Sequence, residues 1–202
     1  MTLWRGKHPL ILASNSRARQ ALLANAGINF EVVPAEIDER GVQKASGLTA
    51  PSDIAALLAR EKALAVSMRH AGSFVVGADQ TLALGERLFS KPAGRAAAAE
   101  QLHALAGHRH ELYSAVAVAC DGKILFADAS TARMTMRRLS EAEIGAYLDR
   151  AGDAVTSSVG TYQLEGLGVH LFEHIEGDHF TILGLPLLPL LAFLRSQQLL
   201  VV

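Results

Sequence analysis

Cysteine is almost missing from this chain: Cys120 is the only one in 202 residues. A lone thiol excludes a disulfide framework within the chain and fits a reducing cytoplasm, so a cytoplasmic protein is expected. Cys120 lies in an apolar, strand-like run and reads as a small core residue. An excess of either charge is also lacking. With 19 Lys and Arg against 20 Asp and Glu the formal net charge is -1, and no basic stripe stands out, so stable nucleic-acid binding is not expected. No apolar run is long enough to cross a bilayer. The most apolar stretch, Ile182 to Leu194, is interrupted by Pro186 and Pro189, so no membrane association is expected. The stretch from Met1 to Lys7 has no apolar segment of the kind a secretory leader needs. Familiar nucleotide and nucleophile signatures are absent: there is no G-x-x-x-x-G-K-[ST], no G-x-G-x-x-G and no G-x-S-x-G. His108 and His110 alternate, but no third ligand follows at a telling spacing, so a zinc site is not indicated.

What is present is apolar residue in quantity, 50% of the chain. That is enough for a sizeable core, and a single domain over residues 1–202, with room for two lobes, is expected. The informative stretch comes early. The apolar run Leu10-Ile11-Leu12-Ala13 reads as a buried strand. It runs into Ser14-Asn15-Ser16, three residues suited to capping a helix, and then into a helical pattern with Leu22 and Leu23 on its buried face and Gly27 as its stop. A strand that ends in small polar residues at a helix N-terminus offers free N–H groups and the positive end of the helix dipole to an anion. Arg17 and Arg19 oppose that dipole unless an anion compensates them; the alternative is that they are solvated surface residues.

Further along, Asn29 to Val33 reads as a second strand, followed by a polar loop with Glu36, Asp38, Glu39 and Arg40. Acids there could approach a metal ion or simply line a solvated loop. From Pro51 a helix is expected, with Ile54, Leu57, Leu58, Leu64, Ala65 and Met68 at helical spacing and Lys62 at the edge of the apolar face. The next strand, Phe74-Val75-Val76, ends in Gly77-Ala78-Asp79-Gln80 and so carries an acid where α/β proteins place ligands. Thr81 to Leu84 and Arg87 to Phe89 read as a hairpin that delivers Lys91. A helix over Ala93 to Ala106 follows, then strands His110–Cys120 and Lys123–Met136 joined by Asp121-Gly122. Ser140 to Glu143 is a capping box for a helix to about Arg150. A hairpin is expected over Val169–Ile175 and His179–Leu183, and a last helix from Gly184-Leu185-Pro186. Alternating strands and helices with later hairpins give an α/β fold: a mixed β-sheet flanked by helices.

Taken in order, these segments resemble the Maf family of nucleoside triphosphate pyrophosphatases over nearly the whole chain. The matching pieces are LILASNSRARQALLANAGI, the Arg60-Glu61-Lys62-Ala63 helix, Gly77-Ala78-Asp79, Lys91-Pro92, Gly107 through His110 to Val116, Gly166-Leu167-Gly168, Ile175-Glu176-Gly177-Asp178 and Gly184-Leu185-Pro186-Leu187. The resemblance implies an elongated Maf/ITPase-like α/β fold with a central nucleotide-binding cleft. It implies hydrolysis of nucleoside triphosphates to monophosphate and pyrophosphate with a divalent metal cation (Mg2+ or Mn2+), clearance of modified nucleotides, a link to arrest of cell division, and a homodimer. By position it makes Ser14, Asn15, Ser16, Arg19, Lys62 and Lys91 phosphate-binding, with Arg17 a candidate to stand in for the family's first arginine from the neighbouring position, Asp79 catalytic, and Asp79 with Glu39 the metal ligands. Three departures stand out. Arg17 and Ala18 replace the family's proline and first arginine, Gln80 replaces a threonine, and Glu165 replaces a glutamine in Gln163-Leu164-Glu165-Gly166. Gln80, Gln163 and Glu165 are therefore the base-selectivity candidates. A carboxylate at residue 165 could accept from a base edge that offers donors, as guanine does. Two other readings stay open: a non-catalytic nucleotide-binding regulator of cell division, and a generic phosphatase that would release orthophosphate.

Overall fold

The computed structural model describes residues 3–202. Among the described residues seven strands form one mixed sheet in the order β2-β1-β3-β5-β6-β7, with β4 paired to β3. The strands are β1 (Leu10–Leu12), β2 (Phe30–Val32), β3 (Val75–Leu84), β4 (Arg87–Phe89), β5 (Arg109–Cys120), β6 (Lys123–Met136) and β7 (Phe172–Glu176). The helices are α1 (Arg17–Asn25), α2 (Glu39–Ser46), α3 (Pro51–Ser67), α4 (Arg95–Leu105), α5 (Glu141–Ala151), α6 (His179–Ile182) and α7 (Leu187–Ser196). β1 runs parallel to both β2 and β3, whereas β3–β4 and β6–β7 are antiparallel. The expected mixed sheet with flanking helices is what forms. Asp121 and Gly122 both adopt positive φ, 49° and 70°, as a two-residue turn between β5 and β6 demands. Among the described residues no helix is long and apolar enough to cross a membrane.

The chain divides into two compact units. One holds the chain up to Gln80 together with Tyr113–Ser130 and Leu183–Val202, and the other holds Thr81–Leu112 and Thr131–Ile182. In the first, Ala55, Ala59 and Ala63 of α3 pack against Ala115, Ala117 and Ala119 of β5. This all-alanine seam sets which face of α3 is buried. Ile54, Leu58, Lys62 and Val66 go in with the alanines, while Leu57 and Leu64 are only half-buried and Met68 is 70% exposed. The larger residues would hold the helix off the sheet. Lys62 therefore sits within the buried stripe, not at its edge. In the second unit Leu102 and Leu105 of α4 and Ile144 and Leu148 of α5 surround Leu112, Met134 and Met136. The capping box is formed: Ser140 accepts from the Glu143 N–H, and the Glu143 carboxylate accepts from the Ser140 N–H.

Several elements differ from expectation. β3 continues unbroken through Asp79 and Gln80 to Leu84, so Asp79 lies within a strand and not at its end. Parallel pairing with β1 stops at Val76, however, so Asp79 still follows the end of that pairing. The polar stretch around Glu39 is not wholly loop. Asp38 caps α2 by accepting from the Gly41 N–H at 3.0 Å, and Gly47 at φ 67° closes it. The second arm of the expected hairpin at 179–183 is helical instead. Asp178 accepts from the Phe180 and Thr181 N–H groups at 2.9 and 3.0 Å, and this cap turns the chain into α6. Cys120 is half-buried beside Asp121 rather than in the core, and burial together with that carboxylate raises its thiol pKa.

Gly77 is the point where β3 comes closest to α3. A Cβ there would overlap the Ala59 carbonyl oxygen and lie 2.6 Å from Ala63 N and 2.9 Å from Ala63 Cβ. Backbone atoms cannot rotate away, so Gly77→Ala should destabilise the fold by about 3 kcal/mol, as overpacking of a dense core does. Urea unfolding followed by circular dichroism checks this through a lower midpoint at unchanged slope.

Candidate active site

The first unit gathers most of the charged candidates. Leu10–Leu12 carry the chain into the turn at Ser14, and Ser16 caps α1 by accepting from the Arg19 N–H at 3.4 Å. Ser14 Oγ accepts from the Ser16 N–H at 3.3 Å and from Arg19 Nη1 at 3.0 Å. Asn15 and Arg17 are exposed. The Arg19 guanidinium is largely engaged with backbone. Nη1 also donates to the Ala78 carbonyl at 2.8 Å, and Nε donates to the Gly184 carbonyl at 2.8 Å. Arg19 thus ties α1 to the residue just before Asp79. Burial lowers its pKa, and the nearby charges of Asp79 and Glu39 push back.

Asp79 is 7% exposed and Lys62 is 8% exposed. Lys62 Nζ donates to Asp79 Oδ1 at 2.6 Å and lies 2.8 Å from Glu39 Oε1. Glu39 reaches the pair from the first turn of α2, with half its side chain in solvent. Three residues far apart in sequence therefore form one carboxylate–ammonium–carboxylate cluster, and Arg19 contributes charge to it. Burial drives the Asp79 carboxyl pKa up; Lys62 and Arg19 draw it back, and Glu39 adds to the rise. Such opposition is typical of groups that must exchange protons or ligands. Gln80, next in the strand, donates from Nε2 to Ser114 Oγ of β5 at 2.9 Å. Its amide is held within the sheet.

The remaining candidates lie on the second unit. Lys91 is exposed in the coil after β4. Gln163 is half-buried and donates from Nε2 to Ser157 Oγ at 2.8 Å, and Glu165 is exposed in the following turn. Two clefts of this unit, about 150 Å³ beside Tyr147, Arg150 and Gln163 and about 470 Å³ between α4 and α5, hold neither a lysine nor an aspartate. In the sequence His110 stands out only as one of the alternating pair His108 and His110, and no motif marks Thr161 or Tyr162. His110 is 1% exposed, with Nε2 2.7 Å from the Tyr162 hydroxyl. Burial lowers the His110 pKa to about 4, so the ring is neutral at physiological pH. Beyond that alternation, its only outward signal is a histidine beside Arg109 and Glu111 in a strand that turns apolar from Ala115.

An open mixed sheet that follows its first strand with a capped helix N-terminus, beside a buried lysine–carboxylate cluster, defines an α/β protein with a charged site on one unit. The chain belongs to the Maf family, whose model, described as Maf-like protein, matches residues 9–197. A relative from Bradyrhizobium diazoefficiens named nucleoside triphosphate pyrophosphatase is 74% identical over 202 residues, covering 100% of both chains. One of the same name from Rhodopseudomonas palustris is 70% identical over 202 residues, again covering 100% of both. A protein from Brucella abortus named 7-methyl-GTP pyrophosphatase is 53% identical over 192 residues, 94% of this chain and 96% of that one.

Proposed function

We propose that this chain is a nucleoside triphosphate pyrophosphatase that releases the monophosphate and pyrophosphate. The observation that carries the reading is the Lys62 ammonium, 2.6 Å from Asp79 and 2.8 Å from Glu39. The names of full-length relatives at 70–74% identity support it. The N-terminus of α1, with Ser14, Ser16 and Arg17, suits phosphate oxygens through its backbone N–H groups and helix dipole. Lys62 adds cationic charge for the same group, and Lys91 stays a phosphate-binding candidate by its place in the family motif alone. Arg19, fastened to the Ala78 carbonyl, holds the strand that carries Asp79. Asp79 orients the attacking water or takes its proton, a role for which a raised pKa is suited.

A divalent cation fits this donor set. The carboxylates of Asp79 and Glu39 both lie within reach of one ammonium nitrogen, and Mg2+ needs only one or two carboxylates, completing its shell with phosphate oxygens and water. When bound, it would neutralise charge on the departing pyrophosphate.

For the base, Gln163 and Glu165 are proposed to select by hydrogen bonding, with Gln80 held back to support the sheet. The Glu165 carboxylate is suited to the N–H edge of guanine, and the Brucella relative's name puts 7-methyl-GTP among the substrates to try. Removal of modified nucleotides is the corresponding cellular role. The test is product release from a panel of standard and modified nucleoside triphosphates with Mg2+ or Mn2+, resolving pyrophosphate from orthophosphate. Pyrophosphate with monophosphate is expected. Orthophosphate would replace the reading with a generic phosphatase, and tight binding without turnover would replace it with a nucleotide-sensing regulator.

A further inference from the structure

Residues 158–162 are held more tightly than an exposed connection needs. Ser158 Oγ donates to the Tyr162 carbonyl at 2.7 Å, Tyr147 Oη donates to the Thr161 carbonyl at 3.0 Å, and the Tyr162 hydroxyl lies 2.7 Å from His110 Nε2. The Tyr162 ring is also packed edge-on against Phe172, with centroids 4.7 Å apart. Between these fastenings Thr161 adopts φ 66°, a left-handed conformation that a β-branched residue avoids. It is fully buried, and among the described residues its Oγ1 has no hydrogen-bond partner. Strain of this kind persists only where the surroundings over-determine it, and it collects at functional sites.

The next residue is Gln163. Its carbonyl accepts from both the Gly166 and the Gly168 N–H groups at 3.1 Å, closing the turn that carries Glu165. A Cβ at Gly168 would overlap that carbonyl and sit 2.8 Å from Gln163 N, so the turn cannot shift independently of Gln163. Position passes along one covalent and hydrogen-bonded line: His110 in β5 fixes Tyr162, Tyr162 fixes Gln163, and Gln163 fixes the turn of Glu165.

We propose that His110, Tyr162 and the strained Thr161 are positioning residues for base discrimination, setting where Gln163 and Glu165 present their polar groups. This rests on the reading that those two residues contact the base. A core filler alone would be served by apolar side chains; a buried histidine–tyrosine pair that holds a β-branched residue at positive φ is costly unless the backbone direction it enforces is needed.

The experiment compares Tyr162→Phe, which removes one hydroxyl, and Thr161→Gly, which removes the conformational strain, with the unaltered protein. kcat and KM are measured for purine and pyrimidine nucleoside triphosphates and 7-methyl-GTP. The ratio of kcat/KM between the best and the poorest substrate should fall about tenfold or more in both variants, carried by KM, since losing one aimed polar contact in discrimination is of this size. kcat on the best substrate should stay within about threefold, because neither residue joins the phosphate chemistry. Should Tyr162→Phe fail to fold, Thr161→Gly alone decides, because glycine accepts positive φ freely. A lower melting temperature with an unchanged substrate ratio overturns the proposal and leaves the pair a purely structural one. Release of pyrophosphate from no substrate by the unaltered protein overturns the function first, and the proposal with it.

Discussion

Asp79→Asn should lower kcat for pyrophosphate release by two or more orders of magnitude, in line with losing a general base. Asparagine keeps the size of the side chain and an oxygen that can accept from Lys62, 2.6 Å away in the parent protein. What it loses is the charge and the ability to take a proton. Fold stability should move the other way. Burial raises the Asp79 pKa despite Lys62 and Arg19, so over the window from the usual carboxylate value up to the raised one the folded state retains a proton that the unfolded chain has released. Stability then falls as pH rises through that window and stays lower above it. Asparagine has no such titration. The variant should therefore gain melting temperature relative to the parent as pH rises above the usual carboxylate value, the pattern of a site kept for function at the expense of stability. Steady-state pyrophosphate release and thermal melts across this range test both halves. Near-normal turnover in Asp79→Asn would sink the assignment.

Much of the scaffold was legible because it follows local rules. The β1 run, the Ser16 cap, the Pro51 start, the Asp121-Gly122 turn and the Ser140–Glu143 capping box each combine a propensity with a geometric requirement, and each formed. Failures came where long-range packing outweighed local pattern. Leucine spacing in α3 pointed to Leu57, Leu64 and Met68 as core residues. The alanine seam against β5 rotated the helix and took Lys62 into the interior. Periodicity treats alanine as weakly apolar and cannot know that close approach to a sheet selects for it. The helix at Glu39 escaped notice because its eight residues bury no side chain fully, which leaves only the Asp38 cap and Gly47 as signals. At the candidate site, residue types and order were readable, but partnerships were not. Nothing local says that Glu39 and Asp79 meet on Lys62, or that Arg19 gives its N–H groups to the carbonyls of Ala78 and Gly184. The His110–Tyr162 pair joins residues 52 apart in sequence and had no local signal.

Lys62→Met is the second large effect, and it separates charge from packing. Methionine fills much of the same volume, so the seam around Ala59 and Ala63 should survive. The ammonium that holds Asp79 and Glu39 is gone. Turnover at pH 7 should fall by about a hundredfold or more, the scale of losing a preorganised cationic group beside developing charge. Lys62 is also the strongest influence holding down the Asp79 pKa, so that pKa should climb further and the acid limb of the residual activity should move to higher pH. Raising the pH should recover part of the loss, which a simple packing defect would not allow. Stability should show the same coupling. At low pH the Asp79 carboxyl is neutral and the substitution costs little. At pH 8 the fold must either bury an unpaired carboxylate or keep it protonated against the solution, and breaking a buried pair in this way costs on the order of 3–5 kcal/mol. The folded state of the variant retains its proton over a wider pH range than the parent, so its stability should decline more steeply with rising pH. Urea unfolding of both proteins at pH 5 and pH 8 reads this directly. Parallel declines would mean that Lys62 and Asp79 are not coupled. Lys62→Arg, which restores the charge with a broader head group, should return the stability profile toward the parent while leaving turnover low, because a guanidinium cannot place its donors where a single ammonium meets both carboxylates.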